Sequence, residues 1–312
     1  MSLIKEYIAE GIRRKASELG FAEVGFSPAT ELVEDKERLR AWLAKGYSAG
    51  MGYMSNYFDK RTDPSLLVDG ALSVISLLHS YKQTESPLSE HAPKISRYAY
   101  GKDYHDVIRR KLSELFSHIR DEYYPALEGR FFVDSAPLLE RALAVKSGLG
   151  WIGKNSMLIN RRLGSYVFLS EILVNIELPY NEGGMIDRCG GCTYCIDACP
   201  TAAILPGRVI DGNRCISYLT IENKDDIPLE FKGKLKGWTF GCDICQEVCP
   251  WNRKAPDSDE PEFRPSAALL AMNLEKWEVL SREGFSELFK GSAVKRAKYT
   301  GWIRNYKFVV EP

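Results

Sequence analysis

All eight cysteines of this chain fall between Cys189 and Cys249, and their spacing constrains the fold more than any other feature. Cys189, Cys192, Cys195 and Cys199, followed by Pro200, reproduce the run C-x2-C-x2-C-x3-C-P. In that run three thiolates on one tight loop grip a 4Fe-4S cube, and the fourth, carried off at the start of a helix, ligates a second cube. Cys242, Cys245 and Cys249 before Pro250 repeat the pattern, except that Thr239 stands where the first cysteine would be; Cys215 is the simplest replacement. The expected ligand sets are therefore Cys189, Cys192, Cys195 and Cys249 for one cluster, and Cys199, Cys215, Cys242 and Cys245 for the other. Paired Cys-x2-Cys units also build tetrahedral zinc sites. Zinc does not call for the x3-Cys-Pro tail that occurs twice here, so two clusters are the better reading.

Disulfides would suit a small secreted chain, but 312 residues with no signal-like apolar stretch near the N-terminus argue for a reducing compartment. Met1 to Gly20 carries charges throughout and no apolar run approaches the ~20 residues that span a bilayer, so a cytoplasmic location without membrane contact is expected. Lys plus Arg and Asp plus Glu both total 42, so any polyanionic partner must be read from local clustering.

Helical spacing of Leu3, Ile4, Tyr7, Ile8, Ile12, Ala16 and Leu19 predicts an opening helix, and Phe21 to Phe26 reads as a strand. A second helix is expected over Leu32 to Leu43, and the apolar run Ala71 to Leu78 suits a buried sheet centre. Asp103 to Tyr124 reads as helix, Arg130 to Val133 as a short strand, Pro137 to Ser147 as a helix ended by Gly148, and Tyr166 to Leu178 as strand. The pattern gives an α/β or α+β core over residues 1–180, a bacterial ferredoxin-like double 4Fe-4S module over 181–255, and a short helical segment over 256–312 entered through the polar linker Pro256 to Pro261. Two clusters move single electrons, and a bare carrier would not need the first 180 residues.

Six strings carry a family resemblance: RYAYGKDYH (Arg97 to His105), VDSAPLLER (Val133 to Arg141), GLGWIGKNSMLI (Gly148 to Ile159), GSYVFLSEIL (Gly164 to Leu173), CISYLTIE (Cys215 to Glu222) and GCDICQEVCPWN (Gly241 to Asn252). With RAKYTGWIRN near the end, the chain resembles the cobalamin-dependent epoxyqueuosine reductases, which share an electron-transfer and corrinoid architecture with reductive dehalogenases. The resemblance implies reduction of epoxyqueuosine to queuosine at the tRNA wobble position, with cobalamin reduced through the two clusters. Cobalamin is not legible from the residues themselves. The Asp-x-His-x-x-Gly signature is absent, since Asp106, Val107 and Ile108 follow Asp103-Tyr104-His105. That fits a base-off corrinoid without a protein histidine ligand, and His105 reads as a hydrogen-bonding or surface group.

Opening an epoxide reductively needs a general acid at the departing oxygen. By its place in VDSAPLLER, Asp134 corresponds to the family's proton donor, and it stands between an expected strand and helix, where α/β proteins place ligands. Helix N-capping is the competing role for Asp134, although Ser135 could cap as well. Position in the family strings nominates Tyr57, Arg97, Asp134, Lys154, Asn155, Ser217, Cys242 and Asp243 as corrinoid contacts. Gly148, Gly150 and Gly153 suit either a ligand-closing loop or a helix end with a turn.

For tRNA, Lys295, Arg296, Lys298 and Arg304, with Lys290 and Lys307, lie in a stretch without acids and interleave with Tyr299, Trp302 and Tyr306. Cations for phosphate and rings for stacking suit an anticodon loop. Lys232, Lys234 and Lys236 form a second basic patch. Many family members continue into a helical repeat domain that grips tRNA, whereas this sequence stops at Pro312, so fewer contacts are expected. A flavodoxin or ferredoxin donor and a monomeric state complete the expectations. A small-molecule dehalogenase and a plain electron carrier are the alternatives; tRNA binding separates the first, and corrinoid content the second.

Overall fold

The computed structural model describes residues 2–83, 92–181, 183 and 186–311. Its centre is a four-stranded sheet in the order Glu23–Pro28, Ser73–Ser80, Val167–Val174, Gly129–Phe132, antiparallel at every pairing. The two inner strands are buried almost along their whole length, as a continuous apolar run requires when both sheet faces are covered. Alternation then divides the side chains. Phe26, Ile75, Leu77, Phe168 and Ile172 face one core with Ile12 and Ala16 of the Ser2–Glu18 helix and Ile108, Leu112 and Leu115 of the Tyr104–Glu122 helix. Val74, Phe132 and Leu173 face the other, covered by Leu138 and Leu143 beside and within the Glu140–Lys146 helix.

Antiparallel pairing selects α+β from the two expected classes. It also removes the parallel-sheet argument for placing a ligand beside Asp134, because neighbouring antiparallel strands end on opposite sides. The helix expected from Pro137 begins only at Glu140, with Leu139 at its N-cap position and no side-chain cap. Asp134 therefore does not cap it.

The cysteine block has little regular structure: four-residue helices Tyr194–Asp197 and Ile244–Glu247, a two-residue hairpin pair and irregular turns. It is fastened to the sheet at named points. Asn252 Oδ1 accepts the Ser165 amide at 2.7 Å, while its Nδ2 donates to Gln246 O at 2.7 Å and Ser165 Oγ at 3.0 Å. Gly164, at φ +68°, leaves room for this amide, since a Cβ there would lie 2.1 Å from Asn252 Oδ1. The short strands Lys94–Ile95 and Trp238–Phe240, the second lying between Cys215 and Cys242, pair in parallel. The C-terminal helices close over Trp277, Phe285, Phe289 and Trp302, which pack with Ile95, Tyr100 and Phe240. Among the described residues no helix is long and apolar enough to cross a membrane.

Candidate active site and cluster centre

The eight cysteines gather into the two expected groups. Burial pushes the Cys195 thiol up, and the neighbouring Cys249, Cys189 and Cys192 push it further. These four line a cavity of about 270 Å³ whose other walls include Ile159, Pro250 and Trp251. In the second group burial raises Cys242, with Cys215 and Cys199 adding to it, and Cys245 is raised by burial and then by Cys242 and Cys215. Cys245 also feels Cys195, so the groups adjoin. Crowded, buried thiols are costly as thiolates until cations compensate them, and this is the environment that an iron-sulfur cube relieves. Among the described residues no three His, Cys, Asp or Glu side chains close around a single ion; the space within the first group is a cavity instead.

Several residues nominated for corrinoid contact serve this centre. Lys154 Nζ donates to Gly190 O at 2.7 Å and Cys192 O at 2.8 Å, holding the first cysteine loop. Asn155, nearly buried, reaches Cys245 O at 3.4 Å. The Asp243 carboxylate is fully buried; it accepts Ser96 Oγ and the Arg97 amide at 2.9 Å, while Arg97 Nη1 lies 3.2 Å from it and 2.7 Å from Glu247. In this structure the Lys154, Asn155, Arg97 and Asp243 side chains join the sheet half to the cysteine loops. Ser217 stays half-buried and bonds to the Cys215 thiol, and Tyr57 is 71% exposed. The three glycines are structural. Gly148 at φ +74° ends a helix, and Cβ atoms at Gly150 and Gly153 would strike Ile159 in the following hairpin.

Asp134 sits in the left-handed region at φ 53°, with its amide donating to Glu140 Oε1 at 2.6 Å. Its side chain is 61% exposed, so an incoming molecule can reach it. Tyr104 donates its hydroxyl to Asp134 Oδ2 at 2.7 Å, and His105 Nε2 stands 3.4 Å from the same oxygen. The His105 bond lowers the Asp134 carboxyl, burial opposes that, and Tyr104 and the charges of His105 and Arg296 lower it further. Asp134 is thus a carboxylate at rest, contrary to the raised affinity that a resting acid would need.

Behind it the opposite holds. Burial pushes Glu140 up to about 8, with Asp134 adding to it, and raises Glu171 well above the carboxylate range, with Glu140 adding to it. Glu171 is wholly buried on the Val167–Val174 strand, and neither carboxyl oxygen has a partner at hydrogen-bonding geometry. Sequence reading missed Tyr104, Glu140 and Glu171 as site residues. The lone acid inside YVFLSEILV was the available signal, because an unpaired carboxylate is rarely placed in a buried strand.

Tyr53, Asp134 and Arg141 are water-accessible, yet surrounding protein raises Tyr53 and lowers Arg141 by desolvation. Glu222 and Arg296 act electrostatically on Tyr53, and Arg296 on Asp134, so these groups neighbour one another. Glu222 accepts two bonds from Arg296, at 3.0 and 3.1 Å.

The basic set divides. Arg296, Lys295, Lys298 and Lys236 are exposed, and Lys234 is half-buried. Arg304 instead donates to Leu219 O and Asn223 O at 2.9 Å and to Asp225 O at 2.5 Å, and Lys232 Nζ donates to Phe308 O at 3.0 Å. Trp302 and Tyr306 are buried, and Tyr299 is half-buried with its hydroxyl on Leu280 O. Arg304 and Lys232 thus donate within the protein and the rings pack inward, because helical periodicity turned the aromatic face to the core.

Residues 188–252 match the family model described as a 4Fe-4S double cluster binding domain, and residues 61–135 match the one described as epoxyqueuosine reductase QueG. An epoxyqueuosine reductase of Leadbetterella byssophila is 52% identical over 99% of this chain and 100% of that protein. One of Cyclobacterium marinum is 49% identical over 99% of this chain and 98% of its own. The crystal structure of epoxyqueuosine reductase with a tRNA-Tyr epoxyqueuosine-modified stem loop superposes at a TM-score of 0.87, with 30% identity, over 97% of this chain and 81% of that one. With a double-cluster module, a matched core and half its residues shared end to end with such relatives, this chain belongs to the epoxyqueuosine reductase family of oxidoreductases.

Proposed function

We propose that the protein reduces epoxyqueuosine in tRNA to queuosine, with Asp134 giving the proton that the departing epoxide oxygen needs. The observation that carries this reading is the Asp134 carboxylate itself: exposed to solvent and fixed by Tyr104, His105 and the Glu140 contact. A corrinoid bound beside it would supply a low-potential cobalt centre for the electrons that the clusters deliver. Exposed Tyr57 and Tyr53, half-buried Ser217 and Cys242, and the open space at Gly52 are the groups offered to such a planar ligand.

Cys189, Cys192, Cys195 and Cys249 hold one 4Fe-4S cluster, and Cys199, Cys215, Cys242 and Cys245 hold the other. Exposed Lys295, Arg296 and Lys298 receive anticodon-loop phosphates, aided by Lys234 and Lys236. A small one-electron donor, flavodoxin or ferredoxin, charges the first cluster from the face bearing Gly190 and Tyr194, both exposed. The protein acts as a monomer in the cytoplasm.

The test is anaerobic turnover of cobalamin- and cluster-loaded protein with epoxyqueuosine-bearing tRNA, followed by mass spectrometry of the released nucleoside. Loss of one oxygen is expected, and Asp134→Asn should slow it by ~10²–10⁴-fold with tRNA affinity unchanged. An unchanged nucleoside, with both clusters and corrinoid verified, overturns the reading and turns the search to small halogenated substrates. Failure to take up corrinoid would mark a plain electron carrier.

A further inference from the structure

Removing an epoxide oxygen to leave an alkene breaks two C–O bonds and consumes two electrons and two protons, the oxygen departing as water. The clusters account for the electrons one at a time. One carboxyl carries one proton at a time and Asp134 rests as a carboxylate, so it must be charged twice within a turnover.

The groups facing Asp134 differ sharply in fitness for this. Tyr104 is driven far above the ordinary phenol range by burial and by Asp134, and holds its proton. Arg296 is a permanent cation. Glu140 meets the Asp134 main-chain amide rather than its carboxylate. His105 is different: Nε2 lies 3.4 Å from Asp134 Oδ2 and Nδ1 lies 2.7 Å from Asp103 Oδ1. Asp103 caps the Tyr104–Glu122 helix by accepting the His105 amide at 3.0 Å, which fixes the ring between two carboxylates. The ring is 26% exposed, so water can reprotonate it.

We infer that His105, oriented by Asp103, is the proton reservoir that recharges Asp134, passing the carboxylate a proton for each of the two that the departing oxygen takes up. His105 hands its Nε2 proton to the Asp134 carboxylate, which passes it to the oxygen as the first C–O bond breaks, and solvent restores the imidazolium. A second pass along the same line supplies the proton with which the oxygen leaves as water, returning Asp134 to the carboxylate and His105, after reprotonation by solvent, to the imidazolium. Electrostatics agree. Burial disfavours the cation, but the bonds and charges of Asp103 and Asp134 outweigh it and push His105 up to about 9, while Asp103 is held low chiefly by His105 against its own burial. Arg109, which also lowers Asp103, is the other charge on this line.

This inference rests on the proposed reaction. Wild-type turnover is measured first, so that absence of oxygen loss counts against the reaction, and only an active wild type tests His105. Single-turnover rates across pH should then fall on an alkaline limb near pH 9. His105→Gln, which keeps a hydrogen-bond donor but cannot titrate, should abolish that limb and lower the pH 7 rate by ~10–100-fold, with tRNA affinity and cluster spectra unchanged. Asp103→Asn preserves the helix cap while removing the charge, so it should move the limb to lower pH even if the first variant folds poorly. A His105→Gln enzyme with the wild-type rate and limb, or an Asp103→Asn limb that does not move, overturns the relay.

Discussion

The sheet half and the cysteine half of this molecule are stabilised by different means. In the first, eight-residue strands bury both faces beneath helices, and the core closes on its own side chains. In the second, helices of four residues surround thiols that burial makes unwilling to ionise, and its apolar clusters are small. One half is a conventional hydrophobic fold, while the other needs its inorganic ligands to be worth folding.

Stripping the clusters is the strongest way to break that contrast. Amide exchange should then quicken by on the order of 100-fold or more across residues 188–252, while the Ser73–Ser80 and Val167–Val174 strands keep their protection. Equal loss in both halves would make the molecule one cooperative unit.

Arg304→Ala tests the cysteine half where the Lys298–Val310 helix fastens it, since it leaves the Leu219, Asn223 and Asp225 carbonyls without their shared donor. Unfolding measured by denaturant should lose about 2–3 kcal/mol, whereas tRNA affinity in the folded protein stays put.

Glu171→Gln probes the sheet half by pH. Its carboxyl, raised when folded, contributes stability below the unfolded value near 4.5 that is lost as pH rises toward and beyond the folded value, so ionisation works against the native state in alkali. The variant removes that dependence. Its melting temperature relative to wild type should gain roughly 2–4 °C between pH 5 and pH 8 for each kcal/mol relieved.

The smallest effect belongs to the surface. Arg296→Ala should reduce the salt slope of tRNA binding by about 1 with little change in stability, because its pair with Glu222 is exposed.

The same division explains what could be read from the residues. Cysteine ligation needs particular atoms at particular spacings, so both groups of four were legible before any coordinates, and apolar runs placed the strands. Asp134 was legible only through resemblance. Its role depends on Tyr104 and His105 arriving from thirty residues upstream at the end of the sheet, a meeting that local periodicity does not encode. Arg97 and Asp243 were marked by motif position alone, which could not show that packing turns both inward to join the two halves. Aromatic interleaving at Tyr299, Trp302 and Tyr306 likewise described a helix face without saying which way it pointed.

The parallel pairing of Lys94–Ile95 with Trp238–Phe240 joins segments that flank the whole sheet-to-cysteine transition. During synthesis every strand of the central sheet has been made by Val174, before the first cysteine, Cys189, leaves the ribosome. Loop closure across so long a stretch comes late. All four strands are therefore made before any cluster ligand, while the core they share is completed only by Phe263, after the last cysteine.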